Sequence, residues 1–476
     1  MKRTTLLLLL LYTANFISAQ QNLGIRNSNY AGIQSACLNP SAIADSKLKW
    51  DINVFSTNTV FDNTFLFIPR DSLHILGFKS IINDIIHQTQ FFTHFDPQHP
   101  DKLYNVTLSN ELLGPSFMIN TSNKSAIGLI TAARFYTNIN DITGHFAQNA
   151  FAYLQQQDLW NKTFHDSTAR LNTMGWLEYG VNYARVIYKD ERNELKGGVT
   201  LKYLQGIAAA YFKNTNLNYN VTNVAQFAFT NSSIDYGRTD YNTLLNPNGN
   251  QHFIHGNGLG ANIGFTYLRL NNFSDRDETN GENENNYVYR IGVSLIDAGS
   301  INFNKYSAAY HLEADTANYT SWKVNHIYNN TQLDRTLSAV FYSNDSLKSL
   351  QADHFRMKLP AAISFQFDWN FYKNFFVNAT IVKGFTHDVK QGVIRPDVYS
   401  LTPRYETRSF EVSVPFSLLY YGHLQPRLGV AARVGCFFFG GDALGGLLKL
   451  NDFEGADFYA GIHVFVTKKH KKLTLY

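Results

Sequence analysis

The sequence predicts an all-β protein, a transmembrane antiparallel β-barrel of about fourteen strands. Apolar and polar residues alternate along many segments, which is the pattern of strands with one lipid face and one wet face. Charged residues make up only 16% of the 476 residues, whereas Phe, Tyr and Trp reach 15%. Low charge with abundant aromatic residues is typical of barrels that carry aromatic girdles at both membrane interfaces.

The clearest strand is predicted over residues 359–371. Apolar side chains occupy every second position there: Ile363, Phe365, Phe367, Trp369 and Phe371. Polar side chains stand between them: Ser364, Gln366, Asp368 and Asn370. After residues 372–374 the alternation resumes, so the pattern predicts a hairpin with a short turn.

The amino terminus has the features of a secretory signal peptide. Lys2 and Arg3 precede a leucine run, and small residues precede Ala19, after which we place the cut. A transmembrane anchor is the alternative, but it needs about 20 apolar residues and Thr13 interrupts too early. An exported chain without a spanning helix enters a bacterial membrane as a closed barrel in the outer membrane. Removing the two leader cations lowers the formal net charge of +4 by two, too little to indicate nucleic acid.

Residues 20–48 are predicted to be a plug-like segment, and residues 49–476 the barrel. The segment is rich in small residues, and Asn39, Pro40 and Ser41 predict a turn or short helix. A loose periplasmic arm is the alternative. Cys37 lies in this segment and Cys436 is assigned to the apolar face of a late strand, so no disulfide is predicted.

The run from Ala31 to Ala44 resembles the amino-terminal segment of the FadL-like superfamily. Members of that superfamily have Asn-Pro-Ala at the end of this segment, whereas here Ser41 takes the place of the alanine. That superfamily includes long-chain fatty-acid transporters, aromatic-hydrocarbon channels and the PorV-like secretion barrels of Bacteroidota. Residues 427–461 resemble a Bacteroidota barrel family of unknown function. The resemblance implies fourteen strands and passive uptake of a small hydrophobic compound, or alternatively a surface or secretion scaffold.

Connections alternate between short and long, which predicts an even strand number with both termini in the periplasm. Twelve strands follow from the pattern, and Thr215–Thr230 is expected to supply two more. Short turns are predicted at residues 122–124, 189–194, 372–374 and 422–426, and long loops at 69–101, 137–174, 231–257, 306–357, 386–404 and 439–455. One long connection, 271–286, falls on the side of the short turns.

Two loop insertions have helical spacing, at residues 78–86 and 145–160. They either cover the mouth and dock an apolar ligand or pack against neighbouring loops. The last strand is predicted at 456–467, followed by basic residues that contact lipid phosphates or remain solvated.

Polar residues on the inward rows are the candidate lumen residues: Arg290, Asp368, Arg427, Arg433, Asp457 and His463. The two late arginines either guide an anion or pair with inward carboxylates. Inward glycines, Gly264 and Gly292 among them, leave room for a plug or let strands bend.

No motif indicates an enzyme. The sequence has no phosphate-binding glycine loop, zinc-protease helix or nucleophile elbow, so no catalytic residue, cofactor or metal is predicted. His94 and His99 beside Asp96 and Asp101 form the closest histidine cluster, which we interpret as solvated. The expected partners are outer-membrane lipids, a small hydrophobic ligand, or a secretion or surface protein, and no nucleic acid.

Overall fold

The computed structural model describes residues 22–72, 92–151, 157–223, 226–240, 252–271, 287–319, 330–385, 391–420, 424–448 and 450–468. The predicted signal peptide and the predicted helix at residues 78–86 lie outside these ranges. Within the described ranges the chain forms fourteen wall strands, three α-helices and four short 3-10 helices.

Fourteen strands form the wall, and several of them are interrupted by a bend. They are β1 Leu48–Asn63, β2 Leu103–Leu113 with Ser116–Asn120, β3 Ser125–Thr143, β4 Arg170–Lys189, β5 Asn193–Asn223, β6 Gln226–Thr239 with Gly256–Leu270, β7 Tyr287–Phe303 with Ser307–Tyr319, β8 Leu350–Ala352 with Phe355–Lys358 and Ala362–Tyr372, β9 Phe375–Gly384, β10 Asp397–Glu406, β11 Phe410–Ser413 with Phe416–Tyr420, β12 Leu424–Leu428 with Val430–Val434, β13 Phe437–Gly441 and β14 Gly455–Thr467.

The sheet closes on itself. Each strand pairs antiparallel with the next. The last strand, β14, pairs with β1 along a ladder that begins with Leu48 opposite Thr467 and ends with Asp62 opposite Gly455. A closed sheet leaves no unpaired strand edge for the bilayer to desolvate. The predicted fold class, a fourteen-stranded antiparallel barrel, is therefore confirmed.

The side chains that alternate between apolar and polar along the sequence also alternate between the outside and the inside of the barrel wall. On β8, Phe365 and Trp369 are exposed on the outside, whereas Ser364 and Asp368 are buried inside. On β14, Phe458 and Val464 are likewise exposed. Exposed apolar side chains cover the outer face of most strands, which is the exterior of an outer-membrane barrel that crosses the bilayer many times.

The two rims of the barrel differ. The turn end carries the short connections at residues 121–124, 190–192, 373–374, 407–409 and 435–436, together with the carboxyl-terminal end of the described chain at Lys468. The loop end carries the longer connections. Strands β6 and β7 meet the connection 271–286 at the turn end, so the long connection does fall among the short turns.

At the loop end, three strands continue beyond the barrel as an outer sheet. Residues 210–223 of β5 pair with residues 226–238, and the Gln226–Thr239 segment pairs in turn with Ser307–Tyr319. Lower on the wall, β5 pairs instead with Gly256–Leu270. The outer sheet has its own apolar cluster, in which Leu312 and Phe341 are buried.

Short elements complete the fold. The helices are α1 Leu23–Arg26, α2 Gly144–Phe151 and α3 Asn330–Phe341, and the 3-10 helices are Gly32–Cys37, Pro40–Ile43, Arg70–Ser72 and Gln157–Leu159. Leu66–Phe67 pairs with Phe92–Thr93, and Thr163–Asp166 pairs along β5. No helix in the described part of the chain has the length and apolarity needed to cross a bilayer.

Five predictions about elements are wrong. Thr215–Thr230 supplies no additional barrel strands, because it belongs to the outer ends of β5 and β6. The two missing strands are β10, which was taken for a loop, and β13, which was merged with β12. Gly435 with φ +60° turns the chain between β12 and β13, so Cys436 lies in a turn and not on a strand face. The connection between β11 and β12 lies at the loop end, not among the short turns.

Candidate functional site: the closed lumen

The amino-terminal segment, residues 22–47, lies inside the barrel. Ile33 is fully buried, and its amide donates to Asp51 on β1 over 2.9 Å. Asn27 donates to Thr380 on β9 over 3.1 Å. Since β1 and β9 stand on opposite walls, the segment spans the lumen.

The Asn-Pro-Ser motif anchors the middle of this segment. Asn39 caps the Pro40–Ile43 helix, and its Oδ1 accepts from the Ser41 amide over 3.0 Å. Proline suits the first position of such a turn because its missing N–H has no partner there anyway. The Asn39 amide also donates to Gln366 over 3.0 Å and to Thr266 over 3.3 Å, which ties the motif to β8 and β6.

Three wall glycines, Gly198, Gly264 and Gly292, form a glycine socket for this motif. A Cβ on Gly198 would lie 2.5 Å from the carbonyl carbon and oxygen of Pro40. A Cβ on Gly264 would meet Asn39, and one on Gly292 would lie 2.9 Å from its Nδ2. The socket therefore admits the segment because it has no side chains. The sequence indicated the two latter glycines as inward, but Gly198 was missed.

A central ion cluster crosses the lumen beside this segment. Arg134 on β3 lies 3.0 Å from Asp297 on β7, 3.2 Å from Glu111 on β2 and 3.5 Å from Glu178 on β4. Further cations complete it: Arg26 pairs with Glu111, Lys202 with Glu178 and Asp297, and Arg395 with Asp297. All seven side chains are less than a tenth exposed. Buried charges of this kind need one another, because each is costly to hold alone.

Sequence reasoning missed this cluster entirely. Four members lie on inward strand rows, as Arg134 does between Ala133 and Phe135. Asp297 directly follows the inward Ile296, at φ +54° in a register shift, so alternation would have placed it outside. Alternation alone could have found the other four. It could not have shown which strands bring their charges to the same level, since that depends on the stagger of the closed sheet.

A second charged group lies closer to the turn end and contains three of the predicted lumen residues. Arg290 lies 3.1 Å from Asp368, which also lies 3.2 Å from Arg404. Arg433 lies 3.1 Å from Glu411, and Glu411 accepts from Ser28 of the amino-terminal segment over 2.7 Å. These side chains brace the wall and hold the segment at once.

The other three predicted residues are separated along the barrel. His463 lies 2.8 Å from Asp51, and Arg427 lies 2.8 Å from Asp62. Asp457 accepts from the amides of Asp442 and Ala443, over 2.8 and 2.5 Å. The six candidates thus form no single site, and the two late arginines each have a carboxylate partner.

The upper half of the lumen is apolar. Facing side chains from β3, β4, β5, β7 and β8 pack there with Val393 of the connection between β9 and β10; the larger ones are Tyr136, Met174, Trp176, Tyr211, Phe303, Phe355 and Met357. Trp176 is fully buried, and its indole N–H has no hydrogen-bond partner among the described residues.

At the turn end, Asp45 fastens the end of the amino-terminal segment. Its carboxylate lies 2.7 Å from Lys189 and 2.8 Å from Lys468. Burial alone would raise the pKa of Asp45, but Lys196, Lys468 and Lys189 outweigh it and hold that pKa well below its ordinary value. The carboxylate is therefore charged at neutral pH.

One cavity of about 90 Å³ lies between the segment and the wall near this end, with Arg26, Lys196 and Arg290 among its lining. Pockets for drug-sized ligands hold about 300–1,000 Å³, so this cavity accommodates only water or a very small polar molecule. In the ranges the structure describes, no three His, Cys, Asp or Glu side chains are placed to hold a metal ion. His99 lies 2.8 Å from Asp96, whereas His94 lies 3.1 Å from Glu454.

The comparisons with solved structures give fold neighbours at low similarity. The Pseudomonas putida toluene transporter TodX is 8% identical, with a TM-score of 0.42, over 94% of this chain and 97% of its own. The Ralstonia pickettii toluene transporter TbuX is 5% identical, with a TM-score of 0.31, over 92% and 94%. A Pseudomonas aeruginosa FadL homologue is 8% identical, with a TM-score of 0.30, over 90% and 93%. Structural similarity at these TM-scores gives no information about function.

The sequence comparisons are more specific. No curated protein matches the chain. The model of a family of unknown function, DUF5723, matches residues 40–442. The matched range includes Pro40 and Ser41 but not Asn39, all of the glycine socket, and all of the central ion cluster except Arg26. The chain therefore belongs to the DUF5723 family.

Proposed function

We propose that this protein is a closed, non-conducting outer-membrane barrel that acts as a scaffold and binds a surface or secretion protein through its outer sheet. The turn end faces the periplasm and the loop end faces outward, since outer-membrane barrels have short periplasmic turns. The observation that carries the proposal is the filled lumen. The amino-terminal segment acts as a plug across the turn end.

Passive uptake requires a track that a compound can follow. Here the central ion cluster and the plug-like segment cross that track. A small apolar compound would have to displace ionised groups that are less than a tenth exposed and leave them without partners, at a cost of several kcal/mol each. A closed barrel that works through its surface has no such requirement.

The outer sheet supports the partner half of the proposal. Helix α3 is fixed to it by Asp334, which is 4% exposed, pairs with Arg238 and accepts from Tyr236 over 3.1 Å. A rigid, preorganised face loses little entropy when it binds. Its outward edge carries Glu313 and Asp315, both exposed, which suit a basic surface on the partner.

Uptake of a small hydrophobic compound is the second candidate, because of the apolar upper lumen. The packed side chains around Trp176 are of the type that line pockets for apolar ligands. Under this hypothesis, the loop that carries Val393 would have to move out of the lumen before the compound enters.

The decisive test combines conductance with native mass spectrometry. The full-length barrel in planar bilayers is expected to show no conductance steps, and gentle extraction from its own membrane is expected to retain a protein partner. Glu313→Lys with Asp315→Lys should release that partner, whereas Glu191→Lys at the turn end, an exposed control, should not. Stable conductance, or a small apolar molecule that is lost on delipidation, would overturn the scaffold in favour of uptake.

A further inference from the structure

Two chain segments close the lumen from opposite ends. One is the amino-terminal segment. The other is residues 391–396 between β9 and β10, which we call the inward loop. Its Ile394 amide donates to Asn138 on β3 over 2.9 Å, and its Gly392 amide lies 3.4 Å from the Asn172 oxygen on β4. A loop that starts at β9 and bonds to β3 and β4 has crossed most of the lumen.

Both closures contribute a cation to the central ion cluster. Arg395 of the inward loop lies 2.6 Å from Asp297, and Arg26 of the amino-terminal segment pairs with Glu111. Arg134 stands between the two carboxylates, at 3.0 Å from Asp297 and 3.2 Å from Glu111. The sequence of charges from the loop to the segment is therefore plus, minus, plus, minus, plus.

The cluster has one cation more than it has carboxylates. Its cations are Arg26, Arg134, Lys202 and Arg395, and its anions are Glu111, Glu178 and Asp297. With every member less than a tenth exposed, little water screens the surplus. The two cations at its ends thus compete for a limited negative charge.

We propose that this surplus makes the two closures antagonistic, so that release of one end tightens the other. If Arg395 withdraws, Asp297 retains Lys202 and draws Arg134 toward itself. Glu111 then depends on Arg26, and the amino-terminal segment is held more firmly. The same argument in reverse holds the inward loop when Arg26 leaves. The barrel then never opens at both ends together, whether it serves as a scaffold or for uptake.

The test uses Cys37, a native thiol that is 8% exposed within the amino-terminal segment. In a Cys436→Ser background, a small maleimide reaches Cys37 only when the segment loosens. Arg26→Gln should accelerate the labelling. Arg395→Gln should slow it at least twofold relative to the parent, although the substituted residue belongs to the other closure. Arg395→Lys keeps the charge and should restore the parental rate.

A variant that leaves all charges in place separates electrostatics from folding. Asn138→Ala removes the hydrogen bond to the inward loop and should also slow the labelling of Cys37, because it favours withdrawal of Arg395. Heat-modifiability in gels verifies that each variant is folded. Labelling that is faster or unchanged in both Arg395→Gln and Asn138→Ala would overturn the antagonism. If only Arg395→Gln misfolds, the result for Asn138→Ala alone decides in the same way.

Discussion

Replacing Gly198 by alanine tests whether the amino-terminal segment is seated as closely as the structure has it. The added Cβ would stand 2.5 Å from backbone atoms of Pro40, about 1 Å short of ordinary van der Waals contact. Backbone in a short helix cannot turn aside as the end of a side chain can. The segment must move away from β5 as a unit.

The expected cost follows from what that movement strains. Asn182 lies 3.4 Å from the Pro40 oxygen, and Ser41 lies 2.6 Å from Thr266, so both contacts weaken together. Overpacking of this kind costs about 1–3 kcal/mol, which exceeds the gain of about 0.4–1 kcal/mol from a stiffer unfolded chain. If most of the cost falls on the segment, Cys37 should be labelled on the order of tenfold faster.

Gly175→Ala is the matched control on the neighbouring strand. Its Cβ would meet nothing closer than 3.5 Å, an ordinary contact. We expect that variant to unfold in urea at the parental concentration or slightly above, with Cys37 labelled at the parental rate. Equal urea midpoints and equal labelling for the two alanine variants would refute the close seating of Pro40 against β5.

Three further predictions concern charged side chains that form ion pairs. Arg134→Met should lower the free energy of unfolding in micelles by about 3–5 kcal/mol, because three carboxylates lose a partner. The double variant Arg134→Met with Asp297→Asn should lose less free energy of unfolding than the sum of the two single variants. Additive losses would contradict a shared cluster. Asp334→Asn should speed proteolytic cleavage near α3 on the order of tenfold, because the charge-assisted hydrogen bond to Arg238 is lost. The control Arg335→Gln, at an exposed position of the same helix, should leave the cleavage rate unchanged. Because the pKa of Asp45 is lowered in the fold, its ion pairs stabilise the protein above the ordinary carboxyl pKa of about 4, and this stability is lost as the pH falls below that value. Asp45→Asn should make the urea midpoint depend less on pH over this range. An unchanged dependence on pH would contradict the assignment.

The sequence was most informative where one face meets lipid. The alternation along β8, β9 and β14 predicted strands and faces because a lipid-facing row tolerates few polar residues. It failed between β10 and β13. Pro415 interrupts β11 and Gly429 interrupts β12, so each strand is split into two short halves. The turn at Gly435 continues the alternation in phase, and β12 and β13 therefore looked like one strand.

The interior was harder to predict for a different reason. The sequence identified Arg427 and Arg433 as inward cations, but their partners Asp62 and Glu411 come from other strands. Arg395 was assigned to a loop and its role could not be foreseen, because only the closed ring places it against Asp297. Pairings between distant strands depend on stagger and loop direction, which a single sequence does not encode locally.

The unbroken course of β5 has a mechanical consequence. This strand runs from the turn end through the wall and ends at Asn223 in the outer sheet, about 56 Å beyond Gly206 at roughly 3.3 Å per residue. A pull on its tip acts along the strand, so the backbone hydrogen bonds to β4 and β6 bear the load side by side in shear. Strands loaded in this direction cannot be unzipped one bond at a time. The outer sheet is thus tethered to the membrane by a strand of the barrel wall itself, whose pairing with β4 shifts register at Ile207.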